Sequence, residues 1–343
     1  MLDVVIMAAG KGTRMKSSRP KVLHRLAGRS LLQHVLTTAA GLGAQRLIII
    51  TGHDAEAVET AMCTALPGTP LAFARQEPQL GTGHAVQQAV PLLGNEGTTL
   101  ILNGDVPLIE AITARALVQA CGGTRLALLT VKLADPSGYG RVVRSDDGGD
   151  GGEAVLGIVE HEDASLAQRA IREVYTGMMA VPTAALKRWL ARLSNANAQR
   201  EYYLTDIVGF AVADGVPVVA AQPQSEIEVL GVNSPLQLAL LERRYQQLRA
   251  EALLEAGVRL ADPARLDVRG ELHCGRDVEI DVNCVFSGRV VLGDDVRIGA
   301  HCVISDAVIA DGVPVVAAQP QSEIEVLGVN SPLQLALLER RYQ

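Results

Sequence analysis

Between residues 3 and 132 the apolar positions of the chain come in two alternating kinds. Short β-rich runs (Val4 to Ala8, Leu47 to Ile50, Leu71 to Ala74, Thr99 to Leu102, Leu126 to Val131) alternate with longer segments whose apolar residues recur at helical spacing (Leu31 to Ala40, Ala55 to Cys63, Ala85 to Val90, Ala114 to Cys121). The last of these is closed by Gly122 and Gly123. This alternation predicts an α/β domain, a mostly parallel sheet covered by helices. In such sheets ligands bind beyond the carboxyl ends of the strands, so the residues that follow each run are where chemistry is to be sought. The tract Ser145 to Glu153, SDDGGDGGE, lies between Arg141–Arg144 and Val155–Ile158 and reads as a flexible hairpin tip; its acidic spacing does not match a calcium-binding EF-hand loop.

Beyond Pro263 the period changes to six. Ile280, Phe286, Leu292, Ile298 and Ile304 form one column, and Leu272, Val278, Cys284, Val290, Val296, Cys302 and Val308 form another two residues earlier. Neither a helix nor a strand repeats every six residues; hexapeptide repeats predict a parallel β-helix with the columns turned inward. Cys274, Cys284 and Cys302 are then small core hydrophobes. The helical run Leu236 to Ala256 joins the two parts. The expected organisation is an α/β domain over 1–234, a linking helix over 235–257 and a short β-helix over 258–309. Residues 213–246 recur at 310–343, identical at all 34 positions. Functional repeats drift, so perfect identity marks a very recent duplication or a fault of sequence assembly. The second copy is expected to have no role, and its Pro314 to interrupt the coil pattern.

Composition narrows the class. The chain has 343 residues, 48% hydrophobic and 20% charged, enough for two domains with a sizeable core. A net charge of −7 and only 3% aromatic residues argue against nucleic acid, which favours a basic face and stacking rings. No apolar stretch approaches the length of a bilayer span and no basic leader opens the chain, so a cytoplasmic protein without membrane contact is expected. Five cysteines, none in a C-x-x-C pair, fit reduced thiols.

The richest segment for chemistry is Val4-Val5-Ile6-Met7-Ala8-Ala9-Gly10-Lys11-Gly12-Thr13-Arg14-Met15, followed by Arg19-Pro20-Lys21. A strand leads into small residues and two glycines, with cations close behind, which is a cradle for phosphate. Met15 stands where a dinucleotide fingerprint needs a small residue, and no Gly-Lys-Ser/Thr follows, so neither the NAD nor the P-loop pattern fits.

These residues resemble the sugar-1-phosphate nucleotidyltransferases. The matching motifs are AAGKGTRM with RPKVLH, Gln76 with Leu80-Gly81-Thr82-Gly83-His84-Ala85, Gly104-Asp105-Val106-Pro107-Leu108, Gly138-Tyr139-Gly140-Arg141, Gly157-Ile158-Val159-Glu160-His161, Glu201-Tyr202-Tyr203-Leu204-Thr205-Asp206 and Gly231-Val232-Asn233. Together, over residues 2 to about 309, they are similar to the bacterial bifunctional N-acetylglucosamine-1-phosphate uridylyltransferase/glucosamine-1-phosphate acetyltransferase family. The resemblance implies a Rossmann-like domain followed by a left-handed β-helix, and a reaction in which UTP and N-acetylglucosamine 1-phosphate give UDP-N-acetylglucosamine and pyrophosphate. It implies Arg14 and Lys21 as the catalytic cations; Met7, Ala8, Ala9, Gly10, Lys21, Gln76, Gly81 and Thr82 at the nucleotide; Asn103, Gly104, Gly140, Glu160, Tyr175 and Asn233 at the sugar; and Asp105 and Asn233 holding Mg²⁺. It also implies a homotrimer, and it places the groups needed for acetyl transfer on coils later than those seen before residue 310, so no acetyl transfer is expected of this chain.

The chemistry is consistent with those residue types. A phosphate monoester with a second pKa near ~6 is already an anionic nucleophile at neutral pH, so no Ser/His/Asp triad is needed. Two polyanions must instead be brought together, and unit charges 4 Å apart interact by roughly 4 kcal/mol at intermediate dielectric. Cations and aligned N–H donors are the machinery. Two positions depart from the family pattern: Tyr175 stands where an Asn precedes Thr-Gly, and Asn103 where an aromatic residue precedes Gly-Asp. Both bear on the sugar, which keeps open a nucleotidyltransferase for another sugar 1-phosphate or for dTTP; a non-catalytic regulatory subunit is the reading from a different class.

Overall fold

Each β-rich run of the N-terminal half forms a strand at its expected place. The structure, a computed structural model, describes residues 1–145 and 154–317. It divides into two units, Met1–Arg243 and Arg244–Gln343. The first unit carries a nine-stranded sheet built from β1 (Leu2–Met7), β2 (Arg46–Thr51), β3 (Leu71–Arg75), β4 (Thr98–Asn103), β5 (Leu126–Lys132), β6 (Gly140–Arg144), β7 (Val155–Val159), β8 (Glu173–Pro182) and β9 (Val218–Ala221). Its main path runs β9-β5-β8-β4-β1-β2-β3, and β6 pairs with β8 and β7. β1 lies between β2 and β4, parallel to both, so the chain leaves β1 at the point where strand order changes direction. β8 runs antiparallel to β4 and β5.

The central strands are apolar throughout because both faces are covered. Val5, Ile48, Ile50, Ile101 and Leu128 pack into one cluster, while their alternates Val4, Ile6, Ile49, Leu100 and Leu102 pack into the other. The covering helices are α1 (Leu31–Ala40), α2 (Ala55–Ala65), α3 (Thr82–Ala89), α4 (Ala111–Cys121), α5 (Thr183–Leu190) and α6 (Asp206–Ala213). Ser30 caps α1 by accepting from the Gln33 amide, which satisfies a donor the helix cannot. α3 and α4 each begin three residues before the apolar periodicity does: the first turn of α3 carries the polar Thr82, and that of α4 an exposed Ile112 off the buried face. β6 and β7 pair as a hairpin, Arg141 against Val159 and Val143 against Gly157; residues 146–153 of its expected tip lie outside the described residues.

The division between the units falls inside α7 (Pro235–Glu255), the expected linking helix. In the second unit the strands are parallel and the columns point inward, as the period of six requires. Leu266–Cys274 pairs with Cys284–Leu292, residue for residue at a spacing of eighteen, and Phe286 pairs with Ile304 at the same spacing. Val278, Cys284, Phe286, Val290 and Ile298 are all at most 2% exposed. Three hexapeptides thus make one coil of a parallel β-helix.

Two expectations for this unit are corrected. Val308 is not a core residue but 82% exposed. The reason is a shortened coil: Val291 pairs with Val308 and Leu292 with Ile309, a spacing of seventeen, so the residue brought beneath Val290 is Ala307 and Val308 turns out. Pro314 does not interrupt the pattern either. Pro314–Val315 forms a short strand against Arg297–Ile298. It is held through the Val315 carbonyl, which accepts from the Gly299 amide, so the missing proline N–H costs nothing.

Candidate active site

The carboxyl ends of β1, β3, β4 and β7, with the segments that follow them, surround a cleft of about 520 Å³. Its lining includes Met7, Ala8, Ala9, Gly10, Arg14 and Lys21 from the cradle segment, Gln76, Gly81 and Thr82, Asn103 and Asp105, Gly140, Glu160 and Tyr175, and Asn233. Among the expected site residues Gly104 is the exception. Its amide donates to the Met7 carbonyl, and a Cβ there would lie 3.1 Å from that oxygen and 3.3 Å from the Ala8 Cβ; the glycine lets β4 leave the sheet close beside β1. Lys11 and Arg19 of the cationic cluster are exposed and do not line the cleft.

Four polar side chains meet on one wall. The Lys21 ammonium donates to Asp105 Oδ2 at 2.5 Å and to Asn233 Oδ1 at 3.1 Å, and the Arg14 guanidinium reaches the same Asn233 oxygen at 3.2 Å. They are delivered by three pieces of chain, the cradle segment supplying both cations. Gly12 has φ +61°, and a Cβ there would sit 2.6 Å from Lys21 Cβ, so only glycine permits this close return of the loop. Lys21 opens a 3₁₀ turn anchored by buried Val22. The Asp105 carbonyl accepts from the Val232 amide, which brings Asn233 alongside.

A second group is held by hydrogen bonds to the segment 201–206. The Gln76 side chain, 4% exposed, donates to the Gly81 carbonyl at 2.9 Å. The Gly83 amide donates to the Tyr202 carbonyl, and Thr82 Oγ1 accepts from the Leu204 amide at 3.0 Å. Thr205 Oγ1 donates to Glu160 Oε1 at 2.9 Å. Burial pushes the Glu160 carboxyl above its usual range, with Asp206, Asp163 and Glu201 adding in the same direction against the Thr205 hydrogen bond. Tyr175 is 7% exposed, its hydroxyl is enclosed without a hydrogen-bond partner, and burial followed by the Glu160 charge drives its pKa well up. Asn103 donates to the Thr176 carbonyl at 3.3 Å, so the two departures from the family pattern lie on neighbouring strands of one wall.

Sequence reasoning missed some of the lining. Gln79 donates to the Ala9 carbonyl at 3.2 Å, and Thr205 orients Glu160. Thr205 stood in a quoted motif but its hydroxyl had no assigned role; its signal was its place beside a helix start, which reads as a cap. Arg141 also went without a role. It is 1% exposed, and it donates to the Tyr139 carbonyl, to His161 Nδ1 at 3.3 Å and to the Arg169 carbonyl at 3.4 Å, which fixes the Gly138–Gly140 turn at the cleft.

The donor set fits a hard divalent cation. Asp105 and Asn233 present two oxygens to one point that a cation already occupies, the Lys21 ammonium. Among the described residues no cluster of three or more His, Cys, Asp or Glu could hold a metal. One carboxylate with an amide oxygen is what suits magnesium, which takes few protein ligands and keeps phosphates and water for the rest.

Comparison with known proteins gives the family of both parts of the chain. Residues 4–259 match the MobA-like NTP transferase domain, and residues 272–306 match the bacterial transferase hexapeptide (six repeats). A protein of Methylibium petroleiphilum named bifunctional protein GlmU is 79% identical over 312 residues, covering 91% of this chain and 67% of that protein. Its namesake in Polaromonas naphthalenivorans is 65% identical, covering 96% of this chain and 69% of that protein. A solved UDP-glucose pyrophosphorylase complexed with UDP-glucose superposes with a TM-score of 0.60 at 18% identity, over 73% of this chain and all of that one, a likeness of fold. The chain spans about two thirds of the length of the curated relatives it matches. A nucleotidyltransferase domain that leads into hexapeptide coils, at such identity over nearly the whole chain, means that it belongs to the GlmU family.

Proposed function

We propose that this cleft carries out the uridylyl transfer of the family: UTP and N-acetylglucosamine 1-phosphate give UDP-N-acetylglucosamine and pyrophosphate. The observation that carries the reading is the convergence of Arg14, Lys21, Asp105 and Asn233, drawn from three separate stretches of chain, beside a buried pair of groups able to read a base and a sugar. An oxygen of the sugar phosphate attacks the α-phosphorus of UTP, and the bond to the β-phosphate breaks. Negative charge grows on the departing pyrophosphate. Lys21 and Arg14 neutralise it, and the backbone of Ala9 and Gly10, which line the cleft just after β1, follows the phosphate path, the Ala8 amide being taken by the Ile50 carbonyl. Asp105 and Asn233 would hold Mg²⁺, which when bound supplies further positive charge to the phosphate oxygens.

Gln76, with Gly81 and Thr82, reads the uracil. The Gln76 amide nitrogen is committed to the Gly81 carbonyl, which orients its own carbonyl oxygen toward a base edge. Glu160, turned by Thr205, accepts from sugar hydroxyls, while Gly140, Asn103 and Tyr175 shape the surrounding wall. The test is pyrophosphate release with Mg²⁺, offering UTP, dTTP and ATP against several sugar 1-phosphates. Release only with UTP and N-acetylglucosamine 1-phosphate supports the reading; preference for dTTP or glucose 1-phosphate refutes it.

Two further assignments belong to the same proposal. Among the described residues no helix is long and apolar enough to cross a membrane, and we place the protein in the cytoplasm, where its proposed nucleotide substrate is found. We also infer a homotrimer assembled through the β-helix, whose exposed Val303 and Val308 offer apolar surface for packing. Sedimentation of the chain at a single mass near three times its own would support it.

A further inference from the structure

The Lys21 ammonium has two incompatible tasks. In the structure it is bonded to Asp105 and Asn233, with the Lys21 and Asp105 side chains only 13% and 20% exposed. These are the two residues that would hold the metal. During transfer the same ammonium is needed at the phosphates. One ammonium has three donors but a single charge, so it cannot neutralise Asp105 and the triphosphate together. The root of the side chain is fixed by Gly12 and the Val22 anchor, whereas its four-carbon stem is free to redirect the charge.

From this geometry we propose that Lys21 is the resident counter-ion of the metal carboxylate, so that divalent cation binding and phosphate binding are coupled through the release of one lysine. Without nucleotide the ammonium occupies the carboxylate and the site takes metal weakly. Phosphate draws Lys21 away and exposes Asp105 and Asn233; a cation arriving there hands Lys21 to the phosphate. The coupling is reciprocal, as any linkage of two equilibrium bindings must be. Arg14 differs: it touches Asn233 but has no bond to the carboxylate, so it carries equal charge without blocking it. The inference rests on the assignment of Asp105 and Asn233 as metal ligands.

The test is a titration of the nucleotide-free chain with Mn²⁺, with the free ion counted by electron paramagnetic resonance. If the unblocked site is populated about one time in ten, the apparent affinity is lowered about tenfold by the lysine. Lys21→Met and Lys21→Gln are therefore expected to bind Mn²⁺ about tenfold more tightly than the wild type. Arg14→Met should change it by less than about twofold, because it removes a charge but no competitor for the carboxylate. Asp105→Asn should abolish the site in either background. An unchanged affinity in both Lys21 variants, or an equal gain in Arg14→Met, overturns the coupling while leaving the metal site standing. Full Mn²⁺ binding by Asp105→Asn overturns the metal assignment and the coupling with it. Two neutral replacements of the Lys21 side chain, each checked for its wild-type circular dichroism, guard against misfolding as the cause.

Discussion

The two sides of the cleft are built on opposite physical plans. The wall of Arg14, Lys21, Asp105 and Asn233 works by charge, held in a partly hydrated setting where each ion has a partner. The wall of Glu160, Thr205 and Tyr175 works by burial, with a carboxyl raised by desolvation and a hydroxyl shut in without a partner. The first suits a transition state, in which charge moves; the second suits a ground state, in which a neutral sugar ring must be recognised. The difference makes a kinetic claim. Damage to the charged wall should appear in turnover, and damage to the buried wall in sugar affinity.

The largest expected effects test the charged wall. Asp105→Ala and Asn233→Ala should leave folded chains without detectable pyrophosphate release, since their side chains contribute little to the core. Lys21→Ala should lower kcat by about 10²–10³-fold with a smaller change in KM, the usual cost of losing one group that stabilises developing charge. Turnover within a few-fold of wild type in any folded variant would contradict the division of labour.

Next in size are changes to the buried wall. Glu160→Gln and Thr205→Val should each raise KM for the sugar phosphate by about tenfold, the worth of one hydrogen bond to a charged group, with kcat and KM for UTP little changed. A loss confined to kcat would erase the contrast between the walls.

A smaller effect concerns stability. Burial lifts the folded-state pKa of Glu160 above that of the unfolded chain, so the folded chain keeps its proton to higher pH. Stability therefore falls as pH rises from the ordinary carboxylate range through the raised value, and stays lower above it. Glu160→Gln abolishes that penalty while its amide oxygen can still accept from Thr205. Its melting temperature should exceed the wild type's by roughly 2 °C at neutral pH, with the gain vanishing near pH 4. A gain that is equal at both pH values would assign the effect to packing.

The smallest expected effect is none. Asn330, the duplicate of Asn233, lies outside the described residues, and Asn330→Ala or deletion of 318–343 should leave turnover unchanged. The first copy is already tied to the cleft through the Asp105–Val232 hydrogen bond, and displacing it would break that link. Recovery of an Asn233→Ala chain by its own or a neighbour's intact Asn330 would show exchange between the copies.

Much of the architecture was legible because local patterns report local environments. Runs such as Leu100–Leu102 must be buried on both faces, and a period of six can be met only by stacked coils. The glycine turn after β1 announced a phosphate cradle before any partner was visible. Chain-distant meetings were not legible in this way. Lys21 and Asp105 are 84 positions apart and Arg14 and Asn233 219, and nothing in either neighbourhood states that the four share one wall except the family resemblance.

The duplicated segment separates the two kinds of information most clearly. ADGVPVVA at 213–220 and at 310–317 makes the same local turn, with Gly215 and Gly312 both at φ +70° and a short strand following. In the first copy Asp214 accepts from the Trp189 indole at 2.8 Å and the strand joins β5 in the large sheet. In the second, Asp311 accepts from the Asp294 amide at 2.9 Å and the strand joins a coil of the β-helix. Sequence alone determined the turn, the strand and the inward columns, because backbone preference and apolar periodicity act over a few residues. Tertiary structure decided which sheet each strand entered, the seventeen-residue coil that turns Val308 outward, and the lysine that sits on Asp105, because each depends on what a distant part of the chain offers as a partner.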